Sequence, residues 1–221
     1  MKRLSLNSLF TILLFSMLSC HSNTHTKEQP VMQEAIKPTQ LSSYETAYFA
    51  SGCFWCVEAI FESVKGVKEV ISGYSGGKEP NPTYDQVGRG FTTHAEAVEV
   101  YYDPDVVSFE TLVEVFFGSH DPTTLNRQGP DRGPQYRSIA FYKNEREKNI
   151  ITDYIKKLED AGTYSKKIVT EVVPFTVFYK AEDYHQDFEK RHPNNAYIRN
   201  VSIPRLRKFQ EKFPELLAEK H

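Results

Sequence analysis

Cysteine is scarce in this 221-residue chain, which contains only three. A framework of several structural disulfides therefore cannot hold the fold together. An excess of one charge is also missing, since the net charge at pH 7 is −2 and basic residues form only short clusters. We therefore expect no nucleic-acid partner. No internal repeat is visible, and the length suits a single domain with its own hydrophobic core.

Long apolar runs are missing except near the N-terminus, where "LSLNSLFTILLFSMLS" follows a Lys-Arg pair and ends at Cys20. The run is too short for a comfortable membrane span and is typical of a signal peptide over residues 1–19. "MLSC" favours a bacterial lipoprotein signal with lipid on Cys20, and a plain secretory signal is the alternative. We expect a protein of the bacterial cell envelope, anchored to the membrane and facing the periplasm or the exterior.

The next stretch is polar, contains two prolines and shows no steady period. Such a composition cannot bury enough apolar surface to fold, so we expect a flexible tether over residues 20–45. The folded domain is predicted over residues 46–214.

Two thiols remain within the predicted domain, in "ASGCFWCVEAIFE" at residues 50–62. Cys53 and Cys56 enclose Phe54 and Trp55, the only tryptophan of the chain. One C-x-x-C pair supplies only half the ligands of a zinc site made of cysteines, so such a site is excluded. Structural packing, half of a mixed Cys/His metal site and a redox couple remain open at this point.

Hydrophobic periodicity predicts a mixed arrangement of elements. Strands are predicted at 46–51, 67–77, 95–103, 136–142 and 167–175, and helices at 53–64, 109–120 and 144–162. The order β-α-β-β-α-β is typical of an α+β fold. We predict a two-layer α/β sandwich with a ferredoxin-like core and C-terminal additions.

The cysteine pair lies where a strand turns into a helix. A helix N-terminus offers free backbone N–H groups and a positive dipole end, so we expect a thiolate to be favoured at Cys53. Residues three apart in a helix have Cα atoms roughly 5 Å apart, and disulfides need about 4.4–6.8 Å. Cys56 is therefore placed to close a bond with Cys53, which favours the redox couple.

One glutamate of the strand "AEAVEVYY" is placed to act as an acid. Glu96 shares a face with Val98 and Val100, whereas Glu99 points the other way and is interpreted as an ordinary solvated carboxylate. Burial on an apolar face favours the neutral form of Glu96. A carboxylic acid that keeps its proton near neutral pH can act as a general acid.

Five stretches of the chain resemble, in the same order, motifs of the A-type peptide methionine sulfoxide reductases. They are "GCFWCVEAIFE", "GYSGG" (73–77), "THAEAVEVYYDP" (93–104), "FFGSHDPTTLNRQGPDRGPQYRS" (116–138) and "AEDYHQDFEKRHP" (181–193). The resemblance covers roughly residues 46–200. Several long motifs in order are much more specific than any one of them.

The resemblance implies a catalytic domain that reduces methionine S-sulfoxide in proteins, with the free amino acid left open as a second substrate. It implies no cofactor and no metal. Cys53 would attack the sulfoxide sulfur and become a sulfenic acid, and Glu96 would protonate the oxygen. The pocket residues implied are Phe54 and Trp55 for the methyl group, with Tyr74, Asp131 and Tyr136 around the oxygen. The implied partners are oxidised proteins and a thioredoxin or an exported thioredoxin-like reductant, and we expect a monomer.

The chain departs from the commoner family pattern in four places. Cys56 stands where many members have glycine, and the usual recycling cysteines near the C-terminus are absent. A variant with its second cysteine inside the motif would resolve the sulfenic acid through a Cys53–Cys56 disulfide. Pro134 replaces a frequent threonine and Phe188 a frequent tyrosine, which affects the fine geometry of the pocket.

Two other classes of protein are weighed against this interpretation. A thioredoxin-like disulfide oxidoreductase also carries C-x-x-C beside a βαβ pattern, but it has no need of Glu96. A non-enzymatic surface lipoprotein could bind a metal or partner through cysteine and histidine. His94, His120 and His185 lie inside motifs that the reductase interpretation already uses.

Overall fold

The computed structural model describes residues 41–219, in which helices pack against a six-stranded sheet. The strands are β1 (Glu45–Ser51), β2 (Val67–Ser75), β3 (Ala95–Tyr102), β4 (Arg127–Gln128), β5 (Asp131–Arg132), β6 (Ser138–Tyr142), β7 (Glu171–Pro174) and β8 (Phe178–Lys180). The helices are α1 (Phe54–Glu62), α2 (Tyr84–Gly88), α3 (Phe109–Gly118), α4 (Glu145–Asp160), α5 (Phe188–Arg191) and α6 (Ile203–Lys212). The predicted α+β class is confirmed.

The sheet has the strand order β7-β6-β1-β3-β2-β8. All neighbours are antiparallel except β6 and β7, which are parallel. Strand β3 lies beside both β1 and β2, and its register places Glu96 opposite Tyr74 of β2. The end of β1 that leads into α1 therefore lies close to the start of β3, where the candidate acid is located.

The main core lies between the sheet and helices α1 and α3. Phe49 of β1 stacks on Phe61 of α1 and on Phe116 of α3, with ring centroids 5.1 Å apart in each pair. Fully burying a phenylalanine contributes about 1.5–3 kcal/mol, so this triad firmly fixes α1 against the sheet. On the opposite face Tyr48 stacks on Phe175 at 3.7 Å, within a smaller cluster.

Helix α1 begins differently from α3 and α4. Helix α3 is capped by Ser108 and α4 by Asn144, whose side-chain oxygens accept from the backbone N–H three residues later. Cys53, at the N-cap position of α1, makes no such bond. Instead the N–H of Phe54 donates to Oε2 of Glu96 at 3.0 Å. The start of α1 is thus satisfied by a carboxyl group from another strand.

The observed elements differ from the predicted ones mainly at their ends. Strand β6 begins at Ser138 because Pro134 opens a short 3₁₀ turn over residues 134–136. The strand predicted over 167–175 is shorter, at Glu171–Pro174. The folded domain also extends beyond 46–214, because Leu41 is buried and Leu217 pairs with Val64.

The predicted signal peptide, most of the predicted tether and Cys20 lie outside the described residues. Among residues 41–219, no helix is both long and apolar enough to cross a membrane.

Candidate active site

The cysteine pair lies at the junction of β1 and α1, and both thiols are free and buried. Gly52 makes the turn with a φ of +94°, a value that side chains rarely adopt. A Cβ atom at this position would also come within 2.6 Å of Cβ of Gln128. Glycine is therefore required here on two grounds, and it allows Cys53 to lie directly at the helix start.

The two thiols ionise as a pair. Burial is the main cause that raises the pKa of Cys53, and the hydrogen bond with Cys56 and the negative charges of Cys56 and Glu96 raise it further. The hydrogen bond from Cys53 is the main cause that lowers the pKa of Cys56 to about 6, and the charge of Arg205 assists. In the resting site the proton therefore stays on Cys53 and the negative charge on Cys56.

This arrangement reverses the expectation that the helix start favours a thiolate at Cys53. The reason lies in the neighbouring carboxyl group. The N–H of Phe54, one of the free donors that would stabilise the thiolate, is occupied by Glu96. Burial consequently raises the pKa of Cys53, and the helix N-terminus offsets this rise less than it would with a free N–H at Phe54.

Glu96 is buried on β3, with 2% of its surface exposed. Burial is the main cause that raises its pKa from 4.5 to about 8, and the charges of Asp131 and Cys56 add to the effect. The hydrogen bond from the N–H of Phe54 lowers the pKa and offsets part of this rise. Glu96 therefore keeps its proton at neutral pH, as its position on the apolar face of the strand predicts.

Glu99, on the other face of β3, is not the freely solvated carboxylate that the sequence indicates. It is half-buried and accepts hydrogen bonds from the hydroxyls of Tyr48 at 2.7 Å and Tyr101 at 3.0 Å. The second, smaller core on that face of the sheet includes Tyr48. Glu99 thus has a structural role away from the cysteine pair.

The two aromatic residues between the cysteines occupy different environments. Phe54 is fully buried and lies 5.0 Å from the ring of His185. Trp55 is partly buried, stacks on Phe188 at 3.8 Å and donates from Nε1 to Nδ1 of His185 at 3.2 Å. Phe188, one of the departures from the commoner pattern, therefore fixes the plane of the indole ring. The hydrogen bond to His185 also holds the indole ring in place.

Three tyrosines surround the acid, and their hydroxyls are not equivalent. Tyr74 donates to Oε2 of Glu182 at 2.9 Å, so its hydroxyl is already engaged. Tyr84 and Tyr136 have their pKa raised mainly by burial and then by the negative charges of Glu96 and Cys53. Neither of these two hydroxyls has a hydrogen-bond partner among residues 41–219. They are the free donors beside the reacting groups.

Asp131 reaches the cysteine pair through a tyrosine that the sequence did not single out. Tyr197 donates to Oδ2 of Asp131 at 2.6 Å, and its hydroxyl oxygen lies 3.7 Å from Sγ of Cys56. Burial raises the pKa of Asp131. Because Tyr197 is also hydrogen-bonded to Cys53, it links Asp131 to both thiols of the pair.

The structure thus brings together all eight site residues predicted within the domain, and it adds others. Tyr84, His185, Tyr197 and Arg205 were not predicted to belong to the site. A signal for Tyr84 was present in "TYDQ", because Thr83 and Gln86 form a capping box that starts α2. The chain offered no comparable pattern for Tyr197, which is one of thirteen tyrosines.

A mixed Cys/His metal site finds no support among the described residues. The group there that could hold a metal ion consists of Glu58, Glu62 and Asp187, without a thiol or an imidazole. Nζ of Lys190 lies 2.7 Å from Glu62 and 2.9 Å from Asp187, and so already supplies a cation.

Comparisons with known proteins agree on one family. The family model described as "Peptide methionine sulfoxide reductase" matches residues 45–217. The peptide methionine sulfoxide reductase MsrA of Sulfolobus acidocaldarius is 52% identical over 171 residues, which cover 77% of this chain and 96% of that protein.

Two solved structures have the same fold. Methionine sulfoxide reductase A of Corynebacterium diphtheriae is 38% identical, with a TM-score of 0.63 and coverage of 70% of this chain and 77% of that chain. Reduced Mxr1 of Saccharomyces cerevisiae is 31% identical, with a TM-score of 0.64 and coverage of 72% and 90%.

Proposed function

The chain belongs to the peptide methionine sulfoxide reductase family and reduces methionine sulfoxide, and on this premise we propose that it acts on the S epimer in proteins through Cys53, Glu96 and Cys56. One observation carries the proposal. Glu96, which keeps its proton at neutral pH, accepts the hydrogen bond from the N–H of Phe54 at the start of α1. It lies beside Cys53, whose thiol is hydrogen-bonded to that of Cys56.

In the first step the sulfoxide enters with its methyl group against Phe54 and Trp55. Its oxygen lies towards Glu96 and the free hydroxyls of Tyr84 and Tyr136. Cys53 passes its proton to the Cys56 thiolate as Sγ of Cys53 attacks the substrate sulfur, and Glu96 protonates the oxygen. The protonated oxygen then passes from the substrate sulfur to Sγ of Cys53, so that the substrate S–O bond and the transient bond between the two sulfurs both break. Cys53 ends as a sulfenic acid, and methionine leaves with the two electrons that Cys53 has lost.

In the second step Cys56 resolves the sulfenic acid. Its sulfur attacks Sγ of Cys53, the S–S bond forms, and the hydroxyl leaves as water. Cys56 gives up the proton that it took in the first step, and the charge of Arg205, which helps to lower its pKa, favours this loss. A dithiol protein of the thioredoxin type then supplies two electrons and restores both thiols. This assigns the chain to a variant in which the resolving cysteine belongs to the GCFWC motif.

The turnover of separated epimers tests the proposed function. Purified enzyme should reduce a peptide with methionine S-sulfoxide in the presence of a thioredoxin system and leave the R epimer unchanged. Equal rates on both epimers would contradict the assignment. The competing thioredoxin-like activity would appear as reduction of insulin, and we expect none above that of the thioredoxin system alone.

We also propose a ferredoxin-like classification for the core. The strand order β6-β1-β3-β2 is antiparallel throughout, with α1 between β1 and β2 and α3 between β3 and β6. This is the arrangement of a split βαβ unit. Strands β7 and β8 then extend the two edges.

The location of the protein remains a proposal from its N-terminal sequence. "MLSC" supports lipidation of Cys20 and a place on the bacterial cell envelope, with the polar segment after Cys20 as a tether. An enzyme anchored there needs a reductant that is itself exported, and its substrates would be oxidised proteins of the envelope.

A further inference from the structure

A cavity of about 1070 Å³ opens beside Cys56. Cys56, Asp131 and Tyr197 form part of its wall, whereas Cys53 and Glu96 do not line it. Its other walls come from the loop between α3 and β5, the segment after α4, and α6 with the turn before it. Of the two sulfurs of the pair, the cavity therefore reaches that of Cys56.

The cavity has an excess of positive charge. Four cations and two carboxylates line it: Lys166, Arg205, Lys208, Lys212, Asp121 and Asp131. Within residues 41–219, none of the four cations forms an ion pair. The three lysines are exposed, so they present their charge to an incoming partner. A cavity of this kind attracts negative groups.

Arg205 brings this charge to the floor of the cavity. Its guanidinium donates to the backbone carbonyls of Ser51 and Ser119, both neutral groups, at 3.0 and 2.9 Å. Its charge acts on Cys56, whose pKa it helps to lower, and on Asp131. The same cation also stabilises a thiolate that approaches Cys56, and a thiolate is the attacking species in disulfide exchange.

We propose that this cavity is the docking site of the reductant, a thiol-disulfide exchange protein with acidic residues around its redox cysteine, and that this cysteine attacks Sγ of Cys56. The inference rests on the proposed function, since it needs the Cys53–Cys56 disulfide. The reductant thiolate bonds to Cys56, and the Cys53–Cys56 bond breaks. Cys53 leaves with the electron pair. The second thiol of the reductant then releases Cys56, so two electrons pass to the pair.

In this arrangement Cys53 reacts with the sulfoxide, and Cys56, in the wall of the cavity, receives the electron donor. Cys56, at the position where many members of the family have glycine, places the second sulfur in the wall of this cationic cavity.

Reversal of the cavity charge tests the docking site. The double variant Lys208→Glu/Lys212→Glu should raise the KM for an acidic thioredoxin about tenfold at low salt, and the difference should shrink as salt increases. Turnover with the uncharged dithiol dithiothreitol should change less than twofold. The matched control is Lys156→Glu/Lys157→Glu on the exposed face of α4, which should keep the wild-type KM. Equal KM values for the two double variants would overturn the proposal.

A trapped mixed disulfide tests the site of attack. A thioredoxin whose second redox cysteine is replaced by serine should remain bonded to Cys56 of the oxidised enzyme. Fragmentation of the linked peptide by mass spectrometry distinguishes Cys56 from Cys53, and a bond to Cys53 would overturn the proposal. The methionine released before thioredoxin is added reports on the proposed function separately, because it does not depend on docking.

Discussion

Replacement of Glu96 by glutamine tests the proton donor without changing its shape. The glutamine carbonyl can still accept the hydrogen bond from the N–H of Phe54 that starts α1. The amide has no proton to transfer to the sulfoxide oxygen. General acid catalysis typically contributes about 100- to 10,000-fold, so the methionine burst at pH 7 should slow by a factor in this range.

The pH dependence follows from the raised pKa. With a pKa of about 8, Glu96 is mostly protonated at pH 7 and mostly ionised at pH 9. The wild-type burst rate should therefore fall as the pH rises through about 8, and the Glu96→Gln rate should not show this step. Stopped-flow or quenched-flow measurement of a single turnover gives both rates.

The same substitution should change stability in a defined pH window. The pKa of Glu96 rises from 4.5 to about 8 on folding, which corresponds to roughly 5 kcal/mol at 1.36 kcal/mol per pKa unit as an upper bound. The contribution of the buried acid is fully present below the unfolded pKa and is lost as the pH rises through the folded pKa. Compared with wild type, Glu96→Gln should therefore gain stability between pH 4.5 and pH 8.

Glu99→Gln on the opposite face of β3 is the matched control for the rate. It should keep the wild-type burst at pH 7, because Glu99 contacts Tyr48 and Tyr101 and not the cysteine pair. A Glu96→Gln burst within threefold of wild type at pH 7 would refute the assignment of the acid. An unchanged pH dependence of urea unfolding would refute the raised pKa.

Three further substitutions test other parts of the account. Tyr84→Phe should slow the burst about tenfold or more and Tyr74→Phe much less, because only the Tyr74 hydroxyl is already bound to Glu182; a larger loss in Tyr74→Phe would reverse the assignment. Phe188→Ala should raise the KM for the sulfoxide several-fold by removing the stack on Trp55, whereas Phe188→Tyr should not. Cys20→Ser should release the protein from the membrane fraction with its activity on soluble substrate intact; retention after a carbonate wash would exclude the lipid anchor.

The elements and the acid could be predicted because they depend on local patterns. Period-two alternation placed Glu96 on the buried face of its strand, and the spacing of Cys53 and Cys56 placed both thiols on one helical turn. The order of strands and helices could be predicted because the spacing of apolar residues, including the phenylalanines of the core, matches the period of each element. These features need no knowledge of which distant segments meet.

The partners of the site could not be predicted in the same way. Tyr74 is bound by Glu182, which lies 108 residues later, and Asp131 by Tyr197, which lies 66 residues later. The ionisation of Cys53 depends on Glu96 taking the N–H of Phe54, a contact across 42 residues. Such contacts are set by the packing of the whole domain, and a sequence with thirteen tyrosines does not indicate which hydroxyl remains free.

The oxidation state of the cysteine pair after one turnover tests the central claim most directly. Reduced wild-type enzyme is mixed with one equivalent of methionine S-sulfoxide peptide in the absence of any other thiol. The mass of the enzyme peptide that contains residues 53–56 is then measured by mass spectrometry. We expect the loss of two hydrogens across Cys53 and Cys56, with close to one methionine released per enzyme. A sulfenic acid that persists on Cys53 beside a free Cys56, together with normal thioredoxin-driven turnover of Cys56→Ser, would contradict it.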